Sequence, residues 1–326
     1  MERVNVKNLA DRVRENIARV IIGKDEEITL LLTAVICRGH VLMEDVPGTG
    51  KTVMAKSLAK SIDCSFSRIQ FTPDLLPGDV TGMSVYDARA AEFVFRPGPV
   101  FTNILLADEI NRATPKTQSA LLEAMQEFAV TVAGENHRLS EPFFVLATQN
   151  PVEQEGTYAL PEAQLDRFMF KLIMRYPSVE EMKAIVLMTQ ETMDEVAEPV
   201  VDAAGLLAMR ETAKEIPVMD ELVTYAMRLV ASTHPDAQEA GETAKRYIRL
   251  GASPRAGQAL ITAAKVRALT LGRLNVARED IDALALPVLR HRVKLSYDAL
   301  AERMTEDEVI ARLLHEQKTA KRKGAR

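Results

Sequence analysis

The stretch from residue 41 to residue 52 constrains the fold most, because it reads as a strand, a glycine loop and a helix in immediate succession. Residues 41–43 form a short apolar run suited to a buried strand. Gly48 and Gly50 follow in a loop that uses backbone conformations open to glycine. Because such a loop ahead of a helix N-terminus binds anions, the stretch predicts a phosphate-binding α/β fold.

The side chains of this loop suit a nucleotide with a bound cation. Lys51 can reach the β and γ phosphates, and the Thr52 hydroxyl can hold Mg²⁺. Asp45 stands where the strict phosphate-loop pattern has its first glycine, which adds a negative charge near the phosphates. The predicted nucleotide-binding residues of the loop are Val46, Pro47, Gly48, Thr49, Gly50, Lys51 and Thr52.

A second apolar run, residues 103–107, ends in two carboxylates, Asp108 and Glu109. A buried strand followed by a charged turn is common in any parallel sheet. Downstream of a phosphate loop the pair has the form of a Walker B motif. Asp108 is then predicted to bind the nucleotide and hold Mg²⁺ through water, and Glu109 to orient or polarise the attacking water.

Two other strand-like runs end near polar groups. Residues 143–147 precede Asn150, which could bond the attacking water or serve only as a turn asparagine before proline. Arg167 precedes the strand predicted at 169–174, where it could instead form a salt bridge with Asp166 or Glu162.

Further features organise the rest of the chain. Upstream of the loop, Ile22 and Gly23 could contact a nucleotide base or form an ordinary inter-helix turn. Residues 72–100 break the periodicity with several prolines and glycines, and residues 130–139 alternate around a turn and predict a β-hairpin.

From residue 177 onward the apolar spacing is helical, and no strong strand pattern appears. Ser253 caps a helix in which Arg255 lies near the N-terminus. The helix dipole disfavours a cation there, but a nearby phosphate would compensate.

Composition narrows the class of protein. A chain of 326 residues is long enough for two domains, and its net charge of −5 argues against a broad nucleic-acid surface. Cys37 and Cys64 lie in apolar or strand-like contexts that do not suggest a disulfide framework. No window approaches a membrane span, so a cytoplasmic location is expected.

The order of these features resembles that of the AAA+ ATPases. Their amino-acid sequences are similar to those of the MoxR family over almost the whole chain. The motifs that carry the resemblance are residues 46–52 (VPGTGKT), 106–112 (LADEINR), 147–151 (ATQNP), 160–168 (LPEAQLDRF) and 251–255 (GASPR).

The resemblance implies a fold and a set of roles. It implies a core at 1–176 with a parallel five-stranded sheet flanked by helices, followed by an all-α lid at 177–326. Residues 72–100 correspond to the helix-2 insert and 130–139 to the pre-sensor hairpin. In the family pattern Asn150 is sensor 1, Arg167 the arginine finger and Arg255 sensor 2, and Ile22 and Gly23 lie on the adenine side.

The resemblance also implies an activity. Proteins of this family hydrolyse ATP with Mg²⁺, form rings that are usually hexamers, and act as chaperone-like factors on client proteins. They often work with a partner that carries a von Willebrand factor A domain, in complex maturation or metal insertion.

Two other functions fit the same motifs. A nucleotide-gated scaffold would bind ATP with little turnover, but the presence of both Glu109 and Arg167 disfavours it. A DNA-acting AAA+ machine is disfavoured by the net charge, although a small basic loop in a ring pore would escape a composition count. GTP is not expected, because residues 148–151 do not match an Asn-Lys-x-Asp base reader.

Overall fold

The computed structural model describes residues 5–44, 49–150, 156–191 and 197–324. The helices are α1 (Val6–Ala18), α2 (Asp25–Ile36), α3 (Lys51–Ser61), α4 (Pro77–Thr81), α5 (Pro115–Glu127), α6 (Glu162–Leu165), α7 (Val179–Glu191), α8 (Ala203–Lys214), α9 (Asp220–Ala231), α10 (Glu242–Tyr247), α11 (Pro254–Thr270), α12 (Arg278–Leu289), α13 (Tyr297–Ala301) and α14 (Glu306–Gly324). The strands are β1 (Val41–Glu44), β2 (Phe66–Gln70), β3 (Gly82–Asp87), β4 (Glu92–Pro97), β5 (Ile104–Asp108), β6 (Ala129–Val132), β7 (Glu135–Arg138), β8 (Phe144–Gln149), β9 (Phe170–Ile173), β10 (Ile248–Leu250) and β11 (Lys294–Leu295).

Five strands form one parallel sheet in the order β2-β5-β8-β1-β9. Val41 at the start of β1 pairs with Leu146 of β8 on one side and Phe170 of β9 on the other. Because the strands are parallel, their carboxyl ends share one edge of the sheet and their amino ends share the opposite edge. The predicted five-stranded sheet flanked by helices is confirmed.

The central strands are buried on both faces, as their continuous apolar runs predict. Along β5, Ile104 and Leu106 pack into one apolar cluster, whereas Leu105 and Ala107 pack into another on the opposite face. The edge strand β2 is only partly buried. The sheet is therefore fixed at its centre and more accessible at the β2 edge.

The predicted insert and hairpin lie against each other. Residues 72–100 contain the short helix α4 and the antiparallel hairpin β3–β4. The predicted hairpin at 130–139 is the pair β6–β7. Phe95 of β4 stacks on His137 of β7 with ring centroids 3.9 Å apart. The two hairpins thus support one another, while Tyr86 and Phe93 remain exposed.

The second half of the chain is helical, as predicted, but it shares its core with the first half. Leu206 and Met209 of α8 belong to the same apolar cluster as Leu31 of α2. Arg210, also on α8, is buried and donates from Nε to the Ile36 carbonyl at 3.1 Å. The predicted division near residue 176 is therefore crossed by continuous packing.

One element of the lid escaped the sequence reading. Strands β10 and β11 form a small antiparallel pair in which Ile248 faces Leu295. With three and two residues, these strands are too short to show a period-two pattern. A further helix, α10, lies within a stretch that reads as a polar break.

Within the described ranges, no helix combines the length and the apolar composition that a membrane crossing requires.

Candidate functional site

The phosphate loop lies at the carboxyl edge of the sheet, between β1 and α3. Gly50 is the N-cap of α3 and has a φ of +83°, a conformation that favours glycine. Lys51 and Thr52 form the first turn, where backbone N–H groups point out of the N-terminus of the helix. This geometry suits an anion. Asp45 and the predicted contacts Val46, Pro47 and Gly48 lie outside the described residues.

Asp108, the last residue of β5, is the centre of a hydrogen-bonded group at the same edge. It is 2% exposed, and its carboxylate accepts from the Thr148 hydroxyl at 2.6 Å. Lys51 Nζ lies 2.9 Å from Oδ1, and an Arg68 nitrogen lies 2.7 Å from Oδ2. Burial opposes ionisation of Asp108, but these three donors and the Lys51 charge outweigh it and lower its pKa. The group is therefore an ionised carboxylate next to the phosphate loop.

Glu109 follows directly and points into a separate set of contacts. Its backbone has a φ of +56°, in the left-handed region, which turns the chain sharply after β5. Its Oε2 accepts from Gln70 Nε2 at 2.7 Å and from Arg112 Nη1 at 3.1 Å. Its backbone N–H donates to Thr148 Oγ1 at 2.9 Å. Thr148 therefore bridges both predicted acidic residues.

Asn150 comes two residues after Thr148, just past the end of β8, and is 8% exposed. Strand β8 lies beside β5, with Ala147 opposite Ala107, so Asn150 lies at the same sheet edge as Asp108. It lines a cavity of about 260 Å³ together with Glu44 and Lys171. The structure thus brings together Lys51, Asp108, Glu109 and Asn150 at one edge.

The predicted base-side segment also reaches this edge. A Cβ on Gly50 would lie 3.9 Å from Ile21 Cδ1, so the residue before Ile22 contacts the phosphate loop. Gly23 has a φ of +73°, and a Cβ there would overlap the Glu181 carboxylate. Gly23 and Tyr176 line a cavity of about 610 Å³ beside the carboxyl end of β9. This cavity also contains the charged side chains of Lys24, Arg175 and Glu181.

Arg167 and Arg255 lie elsewhere, at the amino edge of the sheet. Arg167 donates to the Leu122 carbonyl at 2.9 Å, and Arg255 lies 4.0 Å from Asp166 Oδ2. Both arginines line a cavity of about 260 Å³ that also includes His40, the residue before β1.

Asp166 joins several parts of the chain at this edge. Its carboxylate accepts from the Ser253 hydroxyl at 2.7 Å and from Arg292 Nε at 2.8 Å. The salt bridge considered between Arg167 and Asp166 is replaced by ion pairs of Asp166 with Arg292 and Arg255.

The two edges lie at opposite ends of the strands, separated by the length of one strand. Four residues of β1 separate them, a distance of about 13 Å at the usual rise per residue. Lys51 follows the carboxyl end of β1, whereas Met169, which donates to the His40 carbonyl, marks the amino end of β9. Arg167 and Arg255 therefore do not converge on Lys51 and Glu109 of their own chain.

Four residues of the two clusters had no predicted role. They are Gln70 and Arg68 on β2, Thr148 on β8 and Arg292 after α12. Thr148 could have been found, because it lies two residues before Asn150 at the end of a predicted strand. Arg292 could not, because its partner Asp166 is 126 residues away in sequence.

Comparison with known proteins gives a consistent result. A family profile described as ATPase family associated with various cellular activities (AAA) matches residues 40–170, and an AAA lid domain profile matches residues 241–313. The chain is 47% identical to the uncharacterized protein YeaC of Bacillus subtilis, over 94% of this chain and 93% of that one.

Named relatives and a solved structure match over similar lengths. Chaperone MoxR1 of Mycobacterium tuberculosis is 43% identical over 93% of this chain and 80% of its own. Protein MoxR of Paracoccus denitrificans is 30% identical over 85% of this chain and 86% of its own. A crystal structure of a Cytophaga hutchinsonii protein proposed to be an ATPase superposes with a TM-score of 0.89 and is 40% identical, covering 95% of this chain and 94% of that one.

Proposed function

Because the chain belongs to the MoxR family of AAA+ ATPases, we propose that it hydrolyses ATP at sites shared between neighbouring subunits of a ring. One observation carries the proposal. Lys51 and Glu109 lie at one edge of the sheet, and Arg167 and Arg255 lie at the other. A complete site then needs the amino edge of a second subunit placed against the carboxyl edge of the first.

The carboxyl edge would bind the nucleotide. Gly50, Lys51 and Thr52 offer backbone N–H groups and a cation to the phosphates, and Thr49 and residues 46–48 complete the loop in this proposal. Ile22 and Gly23 would lie beside the adenine, and Gly23 also lines the cavity next to β9.

The same edge fits a magnesium ion. The ionised Asp108 and the Thr52 hydroxyl are the hard oxygen donors that Mg²⁺ prefers, and both lie next to Lys51. When bound, Mg²⁺ neutralises the charge that develops on the β and γ phosphate oxygens.

Hydrolysis would use the remaining groups. Glu109, held by Gln70 and Arg112, orients the water for in-line attack, and Asn150 bonds that water or the γ-phosphate. Arg167 and Arg255 of the neighbour add positive charge to the γ-phosphate in the transition state. An arginine supplied in this way contributes about 10³–10⁵ in rate, or roughly 4–7 kcal/mol of barrier.

The biological role in this proposal is chaperone-like. It is supported by the relative named Chaperone MoxR1 and by the resemblance of the motifs to the family. On the resemblance alone, we extend the proposal to a hexameric ring, a client protein and a partner with a von Willebrand factor A domain.

The test measures ATP turnover per subunit against protein concentration, for the native chain and for Arg167→Ala. We expect turnover to rise cooperatively with concentration, because assembly completes the sites. Arg167→Ala should still bind ATP but lose about 10³–10⁵ in turnover. Arg167→Lys is the matched control that keeps the charge without the planar fork, and it should lie between the two. Turnover that is flat with concentration and indifferent to Arg167 would show a self-contained site.

A further inference from the structure

We propose that Arg292 is a positioning residue that holds Arg167 and Arg255 together as one rigid pair of cations for the neighbour's phosphate. The inference rests on the proposed function, since it assumes that the two arginines act on a second subunit. Arg292 itself is 3% exposed in its side chain and lies behind Asp166, so it acts through other residues.

The guanidinium of Arg292 donates hydrogen bonds to the backbone on both sides of Arg167. Nε donates to Asp166 Oδ1 at 2.8 Å, and Nη2 donates to the carbonyls of Asp166 at 3.2 Å and Phe168 at 2.6 Å. Nη1 donates to the carbonyl of Met169 at 3.2 Å. Three backbone carbonyls, one before Arg167 and two after it, thus fix the backbone from which that side chain projects.

A neighbouring residue reinforces the same contact. His291 is 3% exposed, and its Nε2 donates to the Phe168 carbonyl at 2.9 Å. The Phe168 carbonyl thus accepts from two successive residues of the lid. Only arginine offers five donors in a planar fork, so lysine at position 292 could not make the whole set.

Asp166 extends the arrangement to the second arginine. Its Oδ1 is held by Arg292, while its Oδ2 accepts from Ser253, the N-cap of α11, and lies 4.0 Å from Arg255. One carboxylate therefore ties the start of α11 to the Arg167 segment. Arg255 is 50% exposed and Arg167 half-buried, so both guanidinium groups can face the cavity that they share.

An ion pair that only stabilised the fold could make the same contacts, but removing it would have a different effect. A buried pair of this kind is by itself weak evidence for a gain in stability. A positioning role, however, predicts that the effect of losing Arg292 appears in the subunit that gives the arginines. A structural role predicts an equal effect in whichever subunit carries the change.

The experiment uses mixed rings of two full-length variants. The giving subunit carries Glu109→Gln, which keeps both arginines but removes its own water-orienting group. The receiving subunit carries Arg167→Ala and Arg255→Ala, which keeps its Lys51 and Glu109. Each alone should be nearly inactive, and mixing should restore turnover where the two meet in the productive order.

Arg292→Gln is then placed in one subunit at a time. In the giving subunit it should lower kcat of the mixture by about ten- to hundredfold, with little change in KM for ATP, because a displacement of about 1 Å can cost about 10² in rate. In the receiving subunit, whose arginines are already absent, restored turnover should stay the same. Arg292→Lys in the giving subunit should fall between the native and glutamine variants.

Each outcome decides one question. Absence of any restored turnover before Arg292 is changed would refute the shared sites of the proposed function. Restored turnover that ignores Arg292→Gln in both places, or falls equally in both, would overturn the positioning role. If Arg292→Gln does not fold, Asp166→Asn in the same two places gives the same comparison.

Discussion

The two edges of the sheet carry similar sets of interacting side chains, but these side chains come from different parts of the chain. At each edge a carboxylate accepts from one hydroxyl and lies near two cations. Asp108 has Thr148, Lys51 and Arg68 as partners. Asp166 has Ser253, Arg292 and Arg255. At the carboxyl edge the partners come from strand ends and the following helix, whereas at the amino edge they come from segments up to 126 residues apart.

The two edges differ in the balance of their charged groups. At the amino edge, three arginines, at positions 167, 255 and 292, line one cavity together with Asp166. At the carboxyl edge, Asp108 and Glu109 bring two carboxylates to the side of the phosphate loop. The first arrangement suits attraction of an anion, and the second suits a metal ion and an oriented water. In the proposed mechanism the carboxyl edge would hold the metal ion and the water, and the amino edge would add the cations.

After Arg167→Ala, the largest expected loss of turnover lies at the carboxyl edge. Glu109→Gln keeps the shape of the side chain but removes the charge that orients and polarises water, so turnover should fall by about 10²–10⁴. ATP binding should persist, because Lys51 and the loop are untouched. Steady-state turnover together with equilibrium nucleotide binding checks this. Normal turnover by the variant would remove Glu109 from the mechanism.

A smaller effect is expected at the amino edge. Arg255→Ala should lower turnover by about ten- to hundredfold, since a hydrogen bond to a charged group contributes about 1.5–3 kcal/mol. Arg249→Ala is the matched control, because Arg249 is an exposed arginine on β10 of the same lid. Turnover measured on assembled protein should be lowered only by the first. Equal rates for both variants would exclude Arg255 from the shared site.

The smallest expected effect is a pH dependence of the free energy of unfolding, which arises from His40 at the amino edge. Burial disfavours the charged form of His40, and the nearby Arg38 charge adds to this, so its pKa is lowered to about 4 although a hydrogen bond to the Met125 carbonyl opposes the shift. The unfolded chain therefore takes up a proton below pH ~6.5 that the folded chain refuses. The free energy of unfolding should fall by about 1 kcal/mol from this residue between about pH 7 and about pH 5.5. Burial also lowers the pKa of His291 well below its usual value, which adds to the loss in the same direction.

Urea unfolding across this pH range measures the effect. His40→Gln should reduce the pH dependence, since glutamine can accept from the Val145 N–H and donate to the Met125 carbonyl without titrating. His315→Gln, the same change on the exposed surface of α14, is the matched control. Asp108 has a lowered pKa, and the stability it contributes is lost only as pH falls through that value, so it stays ionised through this window. An identical slope in all three proteins would contradict the assignment to His40.

The difference between the edges also explains what the sequence could predict. The strand–loop–helix at 41–62 and the strand ending in Asp108 are local patterns, and parallel strands bring their ends to one edge. The carboxyl edge could therefore be predicted almost entirely. Gln70 was missed because its partner Glu109 lies 39 residues further along the chain.

The amino edge could be predicted only as single residues. The local sequence offers Asp166 or Glu162 as the salt-bridge partner of Arg167. The fold instead gives Asp166 to Arg292 and Arg255, and gives Arg167 the Leu122 carbonyl. Such pairings depend on the packing of the lid on the core, which no local spacing records. The roles taken from the family resemblance stay predictions until the variants are measured.

The placement of the two edges at opposite ends of one sheet has a consequence for assembly. Each subunit would give at one end and receive at the other, so contacts would run head to tail. An open arc of n subunits then contains n − 1 complete sites. The carboxyl edge at one end of the arc has no neighbour, and neither has the amino edge at the other end. Closing the arc turns those two loose ends into one more working site without any new residue, so turnover per subunit would report whether the circle is complete.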